Sequence, residues 1–162
     1  MPSFDIVNKI DAQTLDNAIN NARKEIVTRY DFRDSKTSIE LDKKAMSLHI
    51  LTENEMKIKA VEDIIMQRMA KQGIDPQVLD LGKEQYAAGN MVKKDLKIKE
   101  GIDKDVARKI VKLIKESKLK VEPSMMEDQV RVNGKKIDDL QQVISMLRKG
   151  DFGIPLQFVN MK

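Results

Sequence analysis

The chain of 162 residues has no cysteine and a single histidine. Without cysteine there is no disulfide, no thiolate nucleophile and no thiolate metal ligand. A lone histidine, His49, does not supply the several His or Cys ligands that hold zinc. No metal and no cofactor are therefore expected. Aromatics are also few: two Tyr, four Phe and no Trp. No apolar run approaches the roughly 18 residues of a membrane span. The start, "MPSFDIVNKID", shows neither the basic nor the apolar region of a secretory signal. No membrane partner and a cytoplasmic location are expected. Catalytic signatures are missing too, with no nucleophile elbow and no metal-ligand cluster. The adjacent acids Asp138 and Asp139 stand in a first helical turn, where they complement the helix dipole. The expectation is a protein that is not an enzyme.

What the chain does have is charge, unevenly placed. Lys and Arg number 30 and Asp and Glu 26, a net of +4. Residues 91–120 carry eleven Lys/Arg against five Asp/Glu, a net of +6, so the rest sums to −2. A basic segment on a nearly neutral body attracts anions locally.

Residue spacing then orders the elements. Residues 3–9 alternate as a strand, with Phe4 and Ile6 on one face. Asp11 caps a helix whose stripe is Leu15, Ala18, Ile19, Ala22 and Ile26, and Tyr30 falls at the next place on it. Strands over 36–41 and 45–51 flank an Asp42-Lys43-Lys44 turn. Thr52 and Glu55 form a capping-box pattern. The following helix buries Ile58, Val61, Ile64, Ile65 and Met69 and stops at Gly73. A short strand at 78–81 and a connector at 82–90 complete the first half. The second half repeats the order: a strand at 92–99, a helix marked by Val106, Ile110, Leu113 and Ile114, a hairpin of 119–125 and 128–134, a helix marked by Leu140, Val143, Ile144 and Leu147, and a strand at 155–160. Each half thus reads as the split βαβ, ferredoxin-like order shared with RNP-type RNA-recognition domains. The predicted class is α+β, with two such domains. Each is a four-stranded antiparallel sheet with two helices on one face.

The segments "MPSFDIV", "RYDFR", "QGID", "KIKEGIDKDVARKIVKLIKESKLKV", "DQVRVNGKK", "DDLQ" and "GIPLQFVN", in that order along nearly the whole chain, resemble the YajQ family of small bacterial nucleotide-binding proteins. The resemblance implies a nucleotide ligand, either a purine nucleotide or a cyclic dinucleotide such as cyclic di-GMP. It also implies a link to tRNA or other RNA, and a regulatory role with a regulatory protein as partner. It further implies that the N-terminal strands are exchanged. On that view one domain is 11–100, including strand 92–99, and the other is 1–10 plus 101–162.

Candidate phosphate-binding residues come from four places. If apolar alternation points to the helices, the outer sheet faces show Asp5, Val7, Lys9, Ser47, His49, Lys97, Lys99, Gln129 and Arg131. None is aromatic, so base readout on the sheet in the RNA-recognition manner is not expected. Lys97, Lys99 and Arg131 remain as cations, and His49 reads as an ordinary exposed residue. The helix of the basic segment carries Lys104, Arg108, Lys112 and Lys115 on one side. Arg108 and Lys112 are candidates there, against the simpler reading of a solvated helix face. "VNGKK" offers Lys135 before a helix start, against a plain strand-to-helix turn. "RYDFRDSK" (29–36) offers Arg29, Phe32, Arg33 and Lys36, since aromatics stack bases and arginines hold phosphates. Packing is the preferred role for Tyr30, and Phe32 suits either packing under the next strand or a ligand. Two other functions stay open: an RNA-binding protein acting through phosphates, and a protein-interaction module without a nucleotide.

Overall fold

Apolar residues two apart become strands, and those three or four apart become helices, along most of the chain. The computed structural model describes residues 1–162. In chain order the elements are β1 (Ser3–Val7), α1 (Ala12–Thr28), β2 (Ser38–Asp42), β3 (Ser47–Thr52), α2 (Glu55–Lys71), β4 (Leu79–Leu81), β5 (Gln85–Ala87), β6 (Met91–Ile98), α3 (Lys104–Glu116), β7 (Val121–Met125), β8 (Val130–Gly134), α4 (Ile137–Arg148) and β9 (Gln157–Val159). They form two antiparallel sheets with four helices, the ferredoxin-like α+β class. Two units result: Met1–Lys9 with Glu100–Lys162, and Ile10–Lys99. The second unit is therefore an insertion between β1 and α3 of the first.

In the unit of residues 10–99 the sheet order is β2-β3-β6-β4. β5 also pairs with β6, which makes five strands where four were expected. Leu15, Ile19 and Ile26 of α1 pack with Ile58, Ile65 and Met69 of α2 over Leu48, Ile50 and Leu96 of the sheet. Each such fully buried side chain contributes about 1.5–3 kcal/mol. Asp11 caps α1 by accepting from the Thr14 N–H at 3.2 Å. The cap of α2 is Asn54, accepting from the Lys57 N–H at 2.9 Å, and not the Thr52 of the capping-box reading. Thr52 instead completes β3, fully buried, and its hydroxyl meets Thr37 Oγ1 at 2.9 Å. On the open edge of β2, the Arg23 guanidinium donates twice to the Ile39 carbonyl, at 2.9 and 2.7 Å. That occupies a carbonyl which an approaching strand would need.

In the other unit the order is β7-β8-β1-β9. Phe4 and Ile6 of β1 pack with Ile110, Ile114, Val132, Leu140 and Val143. Two expectations fail on β1: Asp5 and Val7 were to face solvent, yet they are 3% and 2% exposed. Alternation assumed that the face of β1 away from the helices is wet, whereas on that face the Arg131 and Asn160 side chains reach over Asp5. Arg131 Nε and Asn160 Nδ2 each donate to the Asp5 carboxylate at 2.9 Å. The Arg131 bond, against the opposing effect of burial, holds that carboxyl below the usual range.

Candidate functional site

β4 and β5 both lie against β6. Leu79–Leu81 pairs with Leu96–Ile98, and Gln85–Ala87 pairs with Met91–Lys93. The chain between them must bend tightly over the β6 backbone. Gly82 permits it, because a Cβ there would stand 2.6 Å from the Asp95 carbonyl oxygen. Beyond the bend, Tyr86 faces the helix side opposite Val92, yet it is 84% exposed. Across from it the first turn of α2 presents Met56, 83% exposed.

Between these parts lies a two-lobed cleft. The larger lobe, about 700 Å³, is lined by Glu53, Asn54, Glu55, Met56, Tyr86, Ala87, Asn90, Met91 and Val92. The smaller, about 330 Å³, is lined by Glu55, Gly82, Lys83, Glu84, Gln85, Tyr86, Val92 and Lys94. Glu55, Tyr86 and Val92 border both, so Tyr86 stands as a divider between an apolar chamber and a polar one. Lys94 lies on the core face of β6 opposite Ile50, with its Nζ donating to Glu62 Oε1 at 2.6 Å. Both side chains are nearly buried, at 11% and 8% exposed. Removing either partner strands a charge, at a cost of about 3–5 kcal/mol.

Glu53, at the rim, ties the 29–36 loop to the cleft. It accepts from the Lys36 N–H at 2.5 Å, from Ser35 Oγ at 2.9 and 2.8 Å, from Thr52 Oγ1 at 3.0 Å and from Lys57 Nζ at 3.3 Å. Burial raises its pKa, but the Lys36, Ser35 and Thr52 hydrogen bonds outweigh burial and bring it down to about 2. This carboxylate is a fixed charge whose acceptor positions are already in use.

The loop itself reverses the expected roles of its aromatics. Tyr30 is 87% exposed and Phe32 4%. α1 ends at Thr28 and Arg29 turns extended, so the helical stripe never reaches Tyr30. A 3₁₀ turn over Tyr30–Phe32 then rotates Tyr30 outward and Phe32 into the core. Arg29 forks onto Asp31 at 2.9 and 2.8 Å and, with Lys57, lies 5.8 Å from the Phe32 ring centre. Phe32 is therefore a core residue, not a base-stacking one.

The other predicted cations do not converge. Arg33 and Lys36 have exposed side chains on the loop. Lys97 is exposed on the outer face of β6, between Ser47 and Asp80 in register. Lys99 is half-buried, its N–H donating to the Val78 carbonyl at 2.7 Å. In the other unit, Arg108 pairs with Asp105 at 3.7 Å, Lys112 is exposed on α3, Arg131 is engaged by Asp5, and Lys135 is exposed before α4. None lines the cleft. The cleft residues were missed because 82–90 reads as a connector; its one signal was a lone tyrosine beside Gly82 and Gly89.

Ferredoxin-like units, one with an open cleft beside Tyr86, define a small α+β protein. The chain belongs to the YajQ-like nucleotide-binding protein family, whose sequence pattern matches residues 2–162. It is 62% identical over 162 residues to a protein of Cytophaga hutchinsonii named nucleotide-binding protein, covering all of both chains. It is 52% identical to one of the same name from Oleidesulfovibrio alaskensis, covering all of this chain and 99% of that one. A further relative, nucleotide-binding protein Bd0338 of Bdellovibrio bacteriovorus, is 47% identical over the same 162 residues.

Proposed function

We propose that this protein binds a nucleotide, a purine nucleotide or a cyclic dinucleotide such as cyclic di-GMP, as a regulatory effector that leaves the ligand chemically unchanged. The observation that carries the reading is Tyr86, exposed and set between an apolar lobe and a lobe with Lys83 and Lys94. A base stacks on the ring and enters the lobe of Met56, Met91 and Val92, while phosphate turns to Lys83, since Lys94 is already paired with Glu62. Such stacking contributes about 1–3 kcal/mol per base. Glu53, Glu55 and Glu84 border the same space. They disfavour dense negative charge, so a ligand with one phosphate per base suits the cleft better than a triphosphate.

Titration with GTP, ATP, cyclic di-GMP and mixed tRNA at two salt concentrations tests the proposal. The expected result is saturable binding that Tyr86→Ala weakens at least tenfold and Tyr30→Ala leaves unchanged, with the nucleotide recovered intact. No saturable binding of any nucleotide, or turnover of the bound one, overturns it. One observation favours a second reading, RNA binding through phosphates: Lys104, Lys112 and Lys115 are exposed along α3. That reading predicts affinity for tRNA falling steeply with salt and little preference among mononucleotides.

A further inference from the structure

The outer face of the 10–99 sheet, away from the cleft, carries a second arrangement. Ser47 and His49 are two residues apart on β3, so their side chains leave the same face. Asp95 of β6 lies directly opposite His49, and Lys97 lies opposite Ser47. His49 Nδ1 stands 2.7 Å from Asp95 Oδ1, and His49 Nε2 stands 3.4 Å from Ser47 Oγ. The His49 and Asp95 side chains are 44% and 61% exposed, so reagents in solution reach them.

An exposed cross-strand His–Asp pair is by itself an ordinary sheet contact worth about 0.2–1 kcal/mol. The third member sets this one apart. A carboxylate accepting from Nδ1–H leaves the Nε2 lone pair directed at the serine hydroxyl, the order of roles that activates a serine nucleophile. The Ser47–His49 separation is slightly beyond the usual hydrogen-bond range, as is common in unliganded catalytic sites.

The geometry points to Ser47 as an acyl-accepting nucleophile, with His49 as its general base and Asp95 as the residue that positions His49. The substrates it fits are small activated esters and thioesters. Ser47 Oγ bonds to the acyl carbon as its proton passes to His49 Nε2. The carbonyl electron pair becomes an oxyanion on the side of the Lys97 ammonium. Collapse of the adduct breaks the bond to the alkoxide or thiolate, which leaves with the proton from His49. The products are acyl-Ser47 and an alcohol or thiol. Water repeats the sequence, releasing the carboxylic acid and restoring Ser47. The face is open, so selectivity for the acyl group is low; an activated ester acylates Ser47 faster than the unactivated serine ester hydrolyses, so the acyl-serine accumulates.

Incubating the full chain with p-nitrophenyl acetate at neutral pH, then locating the acetyl group by peptide mass mapping, tests this. The expected result is a burst of about one equivalent of p-nitrophenolate and an acetyl group on Ser47. Ser47→Ala removes that adduct and the burst. His49→Ala slows Ser47 labelling at least tenfold, and added imidazole restores it. His49→Gln slows it equally with a fuller side chain, which keeps the test sound if the alanine variant melts early. Asp95→Asn slows labelling and Asp95→Glu recovers part of the rate, a rescue that a merely structural role does not give. Labelling of Ser47 no faster than of other serines, or unaltered in both His49 variants, overturns the assignment.

Discussion

Glu53 shows how a single carboxylate can hold a loop in place. Its folded pKa of about 2 lies below the ordinary 4.5. A depressed carboxylate stabilises the fold above its unfolded pKa, and that contribution is lost as pH falls through the folded value. The window here runs from about 4.5 down to about 2. The shift corresponds to about 3 kcal/mol at most, less after solvent screening, since 31% of the side chain is exposed. Urea melts at pH 7 and pH 3 are expected to show Glu53→Gln weaker at pH 7, with a shallower acid loss than the parent. Equal acid loss in both proteins would remove Glu53 from this role. None of this was legible in the sequence, because Ser35, Lys36 and Thr52 converge on Glu53 only once β2 and β3 have paired.

Among the elements, helices were the most legible. The stripes from Leu15 to Ile26 and from Ile58 to Met69 pack as their spacing predicts. Apart from the outer face of β1, failures fall where one element hands over to the next. The stripe of α1 was carried one step too far, to Tyr30, because an i+4 pattern does not reveal that Arg29 leaves the helix. β5 was missed because "QYAAGN" has no alternation, and with it the candidate cleft. The 3₁₀ turn after α1 yields a paired prediction. Phe32→Ala is expected to cost about 3–5 kcal/mol, as a buried aromatic truncation does. Tyr30→Ala is expected to stay within about 0.5 kcal/mol, as at an exposed site. Chemical denaturation of both variants measures the contrast, and equal losses would contradict the turn geometry.

At the scale of the whole molecule, the order of elements identified the fold class but not the neighbours of each strand. Alternation marks which face of β1 is buried and is silent about which strands pair with it. In the structure β1 lies between β8 and β9. The unit of residues 10–99 is continuous in sequence and has its own core. It is expected to fold as an isolated fragment. Residues 100–162 alone lack an inner strand and are expected to show little dispersed NMR signal until a peptide of residues 1–9 is added. A well-dispersed spectrum of 100–162 without the peptide would contradict the dependence.

The position of β1 also sets a timetable for the chain during synthesis. β1 is made long before β9, yet Val7 pairs with Gln157. At roughly 5–20 residues per second, β1 waits on the order of 10–30 seconds for that partner. Through that interval "SFDIV" is an apolar strand with both edges unpaired, while residues 10–99 have everything they need to fold. The first unit to begin is thus the last to close. Any factor that shields an unpaired nascent strand would act on this chain before its function exists.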